Sequence, residues 1–172
     1  MALVIIADVG GTNSNSYVTL AEANTYFDAR LHTSSWTNAN DDTKNKSLVM
    51  ATRRIEQEKF YGDRASTTQR LKWARINIGY LDGINMDNII PELLKEAQYE
   101  LAIHLIGTDM SKPSVDTGNI AEASVGSISV KYAIDRNDNV STSYDMLPPF
   151  VESLLSELSA TVTDGCYAFI GR

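Results

Sequence analysis

The segment Asp8-Val9-Gly10-Gly11-Thr12 holds residue types that can do chemistry, because paired glycines let backbone N–H groups approach a bound phosphate. The apolar run Leu3-Val4-Ile5-Ile6-Ala7 leads into it as a short strand or arm. The residues after the glycines favour a plainer use. Thr19-Leu20-Ala21-Glu22 is a capping box, in which the Thr19 hydroxyl accepts the N–H three residues on and Glu22 reaches back to the Thr19 N–H. A helix therefore starts soon after the glycines. Asp8 and the Gly pair read as a turn between the arm and that helix.

No other group of residues reads as catalytic. His32 and His104 are far apart, no serine sits in a nucleophile elbow, and the single cysteine, Cys166, has no base beside it. His104 reads as a packed histidine with one hydrogen bond. Asp135-Asn137-Asn139 has calcium-loop spacing, but Val140 stands at the glycine position and Met146 at the bidentate glutamate position. The expectation is a protein without catalytic residues, metal or cofactor.

The chain has 172 residues and a net charge of −7, which argues against a dedicated nucleic-acid binder, whose affinity comes mainly from Lys and Arg on phosphates. The charge is uneven. Arg53, Arg54, Lys59, Arg64, Arg70, Lys72 and Arg75 stand against Glu56, Glu58 and Asp63, so this stretch is locally basic. It reads either as a solvated helix face with its loop, or as a patch aimed at DNA or an acidic partner. One cysteine excludes an intrachain disulfide and fits a reducing cytosol. The N-terminal apolar run is too short for a signal peptide or a membrane span.

The length suits one domain, mainly α. The expected architecture is a small bundle of about four helices, with a short β-hairpin or strand region and extended N- and C-terminal arms. Its parts are an arm over 1–18, a helical core over 19–107, a strand region over 122–145, a last helix over 148–160 and a tail over 161–172. The first helix is expected from Leu20 to Leu31, burying Leu20, Ala23, Phe27 and Leu31. Trp36 anchors a polar stretch, Asp41 or Asp42 caps the second helix, and Gly62 ends it. Residues 63–87 form an irregular stretch that Trp73 pins to the core. Pro91 opens a third helix, closed by Gly107, whose apolar surface is wide enough to be central to a bundle or covered by a neighbouring subunit. Ile128, Val130, Tyr132 and Ile134 alternate as a half-buried strand, with 140–144 as its returning partner. Pro148-Pro149 opens a last helix with Phe150, Val151, Leu154, Leu155 and Leu158 on one face. Leu3, Val4, Ile5 and Ile6 at one end, and Tyr167, Phe169 and Ile170 at the other, are candidate partner-binding residues, since exposed apolar ends are a liability unless covered.

Two family resemblances bear on function. The opening Val4-Ile5-Ile6-Ala7-Asp8-Val9-Gly10-Gly11-Thr12 resembles the first phosphate loop of sugar kinases of the actin-like ATPase fold. Those kinases need two domains, a second phosphate loop and an adenosine site. The chain is too short for these, it has no second Asp-Gly-Gly loop downstream, and the kinase reading is rejected.

The whole chain more closely resembles a bacteriophage family labelled DnaT-like or head–tail connector. The features that carry this are Asn15-Ser16-Tyr17-Val18-Thr19-Leu20-Ala21-Glu22-Ala23, Trp36 before an Asp-rich helix start, and Ala51-Thr52-Arg53. They continue as Leu71-Lys72-Trp73-Ala74-Arg75, Ile90-Pro91 before Lys95-Glu96-Ala97-Gln98-Tyr99-Glu100-Leu101-Ala102, Val125-Gly126-Ser127-Ile128 and Leu147-Pro148-Pro149. Ala74 stands where the pattern expects a proline. The resemblance implies a virion connector: a homo-oligomeric, dodecameric ring made in the host cytoplasm and bound beneath the portal protein at the head–tail interface. Its other partners would be the next tail or nozzle component and DNA passing through the channel without tight binding. The DnaT-like label implies the alternative, a single-stranded DNA-binding replication protein.

Overall fold

Thr19 caps the first helix as its spacing requires: its Oγ1 accepts the Glu22 N–H at 3.2 Å and its N–H donates to Glu22 Oε2 at 2.7 Å. The computed structural model describes residues 3–81, 83–110, 122–125, 128–131 and 147–159. Along these the order is α1 (Leu20–Asp28), α2 (Ser34–Thr37), α3 (Asp41–Ile55), β1 (Asp63–Arg64), β2 (Arg75–Ile76), β3 (Tyr80–Leu81), β4 (Ile84–Asn85), α4 (Glu92–Gly107), β5 (Glu122–Val125), β6 (Ile128–Lys131) and α5 (Pro149–Leu155). The protein is mainly helical, as expected, and the strands pair only as small antiparallel ribbons, β1 with β2, β3 with β4, and β5 with β6. The chain divides into two compact units, Met1–Gly107 with Pro149–Arg172, and Thr108–Pro148.

In the larger unit α4 packs against both α3 and α5. From Ala97 to Ala102 every residue of α4 is buried, which one amphipathic stripe cannot do. This helix is the central post, and its burial extends to Gln98 and Glu100, polar groups that must find partners inside. Around it sit Val18, Ala23, Phe27, Leu48, Ala51, Ile55, Val151 and Leu155. Phe27 and Trp36 pack with ring centroids 4.4 Å apart, so the polar stretch before α3 does anchor through Trp36, on the short helix α2.

Several boundaries differ from expectation, each for a local reason. Helix α1 stops at Asp28, so Leu31 is 80% exposed instead of buried; Arg30 turns its guanidinium to the Leu31 carbonyl and to Glu100. The cap of α3 is Asn40, whose Oδ1 accepts the Thr43 N–H at 2.8 Å, and Asp41 and Asp42 occupy the first turn, where negative charge is favoured. That helix ends at Ile55 and not near Gly62: tighter turns follow, Gln57 N–H to the Arg54 carbonyl and Glu58 N–H to the Ile55 carbonyl, while the Glu56 carboxylate is held by the Lys72 N–H and the Tyr17 hydroxyl. Gly62 serves another purpose. At φ 72° its backbone lies so close to Ile76 that a Cβ would collide with the Ile76 carbonyl oxygen.

The strand Ile128–Lys131 is present, but its described partner precedes it: Val125 pairs with Ile128 and Glu122 with Lys131. In the sequence only residues 126 and 127 separate the two strands. The expected returning strand at 140–144 lies outside the described residues, as do the Asp135–Asn139 loop and Cys166. Phe150 is not on the buried face of α5. It stands half exposed, its ring 6.3 Å from that of half-buried His104, which makes this edge contact and not the expected hydrogen bond among the described residues.

Candidate functional site

The glycine turn is closed by its own atoms. Gly11 N–H donates to the Asp8 carbonyl at 3.0 Å, and Ser14 Oγ donates to the same oxygen at 2.6 Å. A Cβ on Gly11 would meet Ser14 Oγ at 2.6 Å, so the second glycine is required by the turn itself. The Gly11 carbonyl in turn accepts the Arg70 N–H at 3.2 Å, joining the turn to the basic stretch.

Of the arm residues expected to meet a partner, Leu3, Ile5 and Ile6 are half-buried and Val4 is 70% exposed. Asn15 holds the arm by acting as a strand neighbour: its Oδ1 accepts the Ile6 N–H at 2.8 Å and its Nδ2 donates to the Val4 carbonyl at 2.9 Å. Asn45 on α3 donates to the Leu3 carbonyl at 3.1 Å. The arm is thus laid along its own chain. Tyr167, Phe169 and Ile170 lie outside the described residues.

The basic stretch divides into two kinds of cation. Arg75 is buried, and its guanidinium donates to the backbone carbonyls of Phe60, Tyr61, Gly62 and Lys72. Burial pushes it below its ordinary value, with Asp63 opposing. Lys72 Nζ donates to the Glu58 carbonyl at 2.6 Å, and Arg54 pairs with the Glu58 carboxylate at 2.8 Å. These three organise the excursion from 56 to 76: Trp73 fills its interior, edge-on to Phe60 at 5.6 Å, and Tyr61 N–H ties it to the Leu158 carbonyl. The Trp73–Ala74 peptide, where the resemblance expects a proline, is cis.

The second kind is Arg53, Lys59, Arg64 and Arg70. All four are exposed, and their side chains make no ion pair or hydrogen bond among the described residues. Elsewhere in the larger unit every described Lys or Arg is engaged: Arg30 by Glu100, Lys46 by Asp42, Lys95 by Glu92, and Lys44 above the Trp36 ring at 5.5 Å. The neighbouring acids are engaged too. Glu56 accepts from Tyr17 and Lys72, Glu58 from Arg54, and Asp63 Oδ2 from Asn77 at 3.0 Å. In the sequence these seven basic residues carry equal weight; apart from the i,i+4 pair of Arg54 with Glu58, contacts distant in sequence separate the structural from the unpartnered ones.

Other features are accounted for within the fold. An open recess of about 470 Å³ is lined by Asn24, Phe27, Arg30, Trp36 and Lys44 among others, and Asn24 accepts the Trp36 indole N–H at 3.0 Å there. Tyr17 donates to Glu56; burial, reinforced by that carboxylate, pushes its phenol far above the ordinary range. Among the described residues no cluster of His, Cys, Asp and Glu could hold a metal, and no helix is long and apolar enough to cross a membrane.

Comparison with known families decides between the two resemblance readings. A family model described as "Putative DnaT-like ssDNA binding protein" matches residues 1–169. The chain belongs to this family. No curated protein and no solved structure matches it. The match covers almost the whole chain and supports the DnaT-like half of the resemblance. It overturns the reading as a virion head–tail connector forming a portal-binding ring. The physical reason for that error lies in the motifs used. Val18, Ala23, Trp36, Ala51, Trp73, Ala97 and Leu101 are core residues and Thr19 is a cap, so they specify a fold shared by the family and carry no information about its partner.

Proposed function

We propose that this DnaT-like chain binds single-stranded DNA, with Arg53, Lys59, Arg64 and Arg70 as its phosphate contacts. The observation that carries this reading is the concentration of the larger unit's unpartnered described cations in one stretch whose acids are already hydrogen-bonded. Cations without internal partners can neutralise phosphates at little cost to the fold, and each phosphate they neutralise releases counterions and adds salt-sensitive affinity. The net charge of −7 belongs to the same picture. Acidic surface elsewhere repels the strand and confines it to this stretch, so binding is modest and strongly dependent on ionic strength. The arrangement needs no cofactor.

Fluorescence anisotropy of a labelled oligothymidine at low ionic strength tests the reading. The wild-type chain is expected to bind, and the combined variant R53A/K59A/R64A/R70A to lose most of that binding while melting at the same temperature. Absence of binding by the wild type, or equal binding by the folded variant, contradicts it.

A further inference from the structure

Beyond phosphate contacts, the same region presents aromatic and apolar side chains that nothing described covers. Tyr80 is 75% exposed and Ile84 62% exposed on the β3–β4 ribbon, and Tyr61 is 43% exposed. Their backbones are firmly held. Tyr61 donates its N–H to the Leu158 carbonyl and accepts from Arg75 Nε at 2.5 Å. The ribbon is fixed at its base by Met86 N–H to the Gly79 carbonyl at 3.0 Å, Ile78 N–H to Asp87 Oδ1 at 3.1 Å, and Asn88 N–H to the Arg75 carbonyl at 2.7 Å, with Met86 buried beneath. Tyr80 is largely exposed and Tyr61 partly so, each on backbone held by hydrogen bonds.

The two tyrosines issue from adjoining backbone. A Cβ on Gly62 would lie 3.0 Å from Ile78 Cγ1, so residues 62 and 78 touch, and Tyr61 and Tyr80 flank that contact. At about 3.8 Å between successive Cα atoms, the two tyrosine Cα atoms are no more than roughly 18 Å apart. Arg64 lies in β1, whose register with β2 sets Asp63 opposite Ile76, two residues before Ile78. Unpartnered cations and exposed π-faces thus share one continuous piece of structure.

We infer that Tyr61 and Tyr80 are stacking platforms for unpaired bases of the strand whose phosphates the neighbouring cations contact. This rests on the single-stranded DNA reading and adds how the bases are held. The occupant fits the chemistry: a base offers a flat π-face to the ring, and its phosphate meets Arg64 or Lys59. A duplex hides those faces, so stacking favours single strands. Ring mounting on a fixed backbone leaves little to order on binding.

The test is anisotropy with a labelled oligothymidine and with an abasic strand of the same length, alongside light scattering for oligomeric state. Tyr80→Ala is expected to weaken oligothymidine binding about 5- to 150-fold, the range of base–aromatic stacking, with the salt dependence unchanged. Tyr80→Phe should retain affinity, since the hydroxyl is not used, and Tyr61→Ala should weaken it in the same sense. The abasic strand should bind the wild type weakly and be indifferent to Tyr80→Ala. If the wild type binds oligothymidine but both alanine variants bind equally well, stacking is wrong while the phosphate reading stands. If Tyr80→Ala alters only the oligomeric state, the ribbon is covered by a second copy and stacking is again wrong. If the wild type binds no strand at all, both readings fall together.

Discussion

Two regions of the larger unit are rich in polar side chains and use them in opposite directions. Between the helices Gln98 and Glu100 point inward and find several partners each. Gln98 accepts the Tyr17 N–H at 3.2 Å and donates to Ser16 Oγ at 2.7 Å and the Leu48 carbonyl at 3.1 Å. Glu100 takes Arg30 through both carboxylate oxygens, at 2.6 and 2.7 Å, and the Tyr26 hydroxyl at 2.8 Å. In the 53–76 stretch the polar groups are sorted: Arg54, Lys72 and Arg75 hold the excursion together, and Arg53, Lys59, Arg64 and Arg70 are left outside. The difference teaches that charge count alone says little about a surface. What matters is which charges the fold has already used, and among the described residues of this unit the unused ones all fall in one stretch of sequence, 53–70.

The largest expected effect breaks the interior region. Gln98→Leu keeps the volume but strands the Tyr17 N–H in a buried site, and an unsatisfied buried group costs about 1–3 kcal/mol beyond the lost bonds. A loss of about 2–4 kcal/mol in urea unfolding is expected. A change below about 0.5 kcal/mol would mean that the buried network is not what joins the N-terminal segment to α4.

The next sharpens the contrast within the basic stretch. Arg75→Ala removes a guanidinium that donates to four backbone carbonyls and should cost about 2–3 kcal/mol, because hydrogen bonds from a charged group are among the stronger ones. Arg64→Ala lies directly opposite in register yet should change stability by less than about 0.5 kcal/mol, as surface substitutions do. Thermal melting of the two variants side by side checks this. Similar melting temperatures would erase the distinction between structural and unpartnered cations.

The smallest effect concerns alkaline pH. Burial, with Glu56 and Glu100 close by, raises the Tyr17 and Tyr26 phenols above their ordinary value of 10.0, and burial with surrounding carboxylates does the same for Tyr99. The folded chain keeps these protons while the unfolded chain releases them above about pH 10, so stability is full below that pH and falls as pH rises through it. Urea unfolding in steps from about pH 8 upward should show this decline, and Tyr17→Phe should make it shallower. A decline unaltered by Tyr17→Phe would mean that Tyr17 is not one of the linked groups.

Legibility in the sequence followed the range of the interactions. Thr19 with Glu22, Pro91 ahead of α4, and the alternation at Ile128 act over a few residues, and each produced the expected element. The burial of Trp73 was readable because a large ring in an irregular stretch needs an anchor. The end of α3 was not readable, since no cap or breaker stands at 55–58 and the partners of Glu56 there, Tyr17 and Lys72, are distant in sequence. The division of the basic stretch was hidden for the same reason: Arg75 differs from Arg64 only through carbonyls at 60–62, which no spacing reveals. The exposed Tyr61 and Tyr80 gave no signal, because an isolated tyrosine reads equally well as core.

The most direct test of the central claim, that the four unpartnered cations meet phosphates, is the salt dependence of oligothymidine affinity. Single strands lose about 0.7 in log affinity per tenfold rise in salt for each phosphate neutralised, so four contacts predict a slope of about −3 for the wild type. The variant R53A/K59A/R64A/R70A should bind weakly, with a slope near zero. A wild-type slope near zero, or the same steep slope in the variant, would contradict the account.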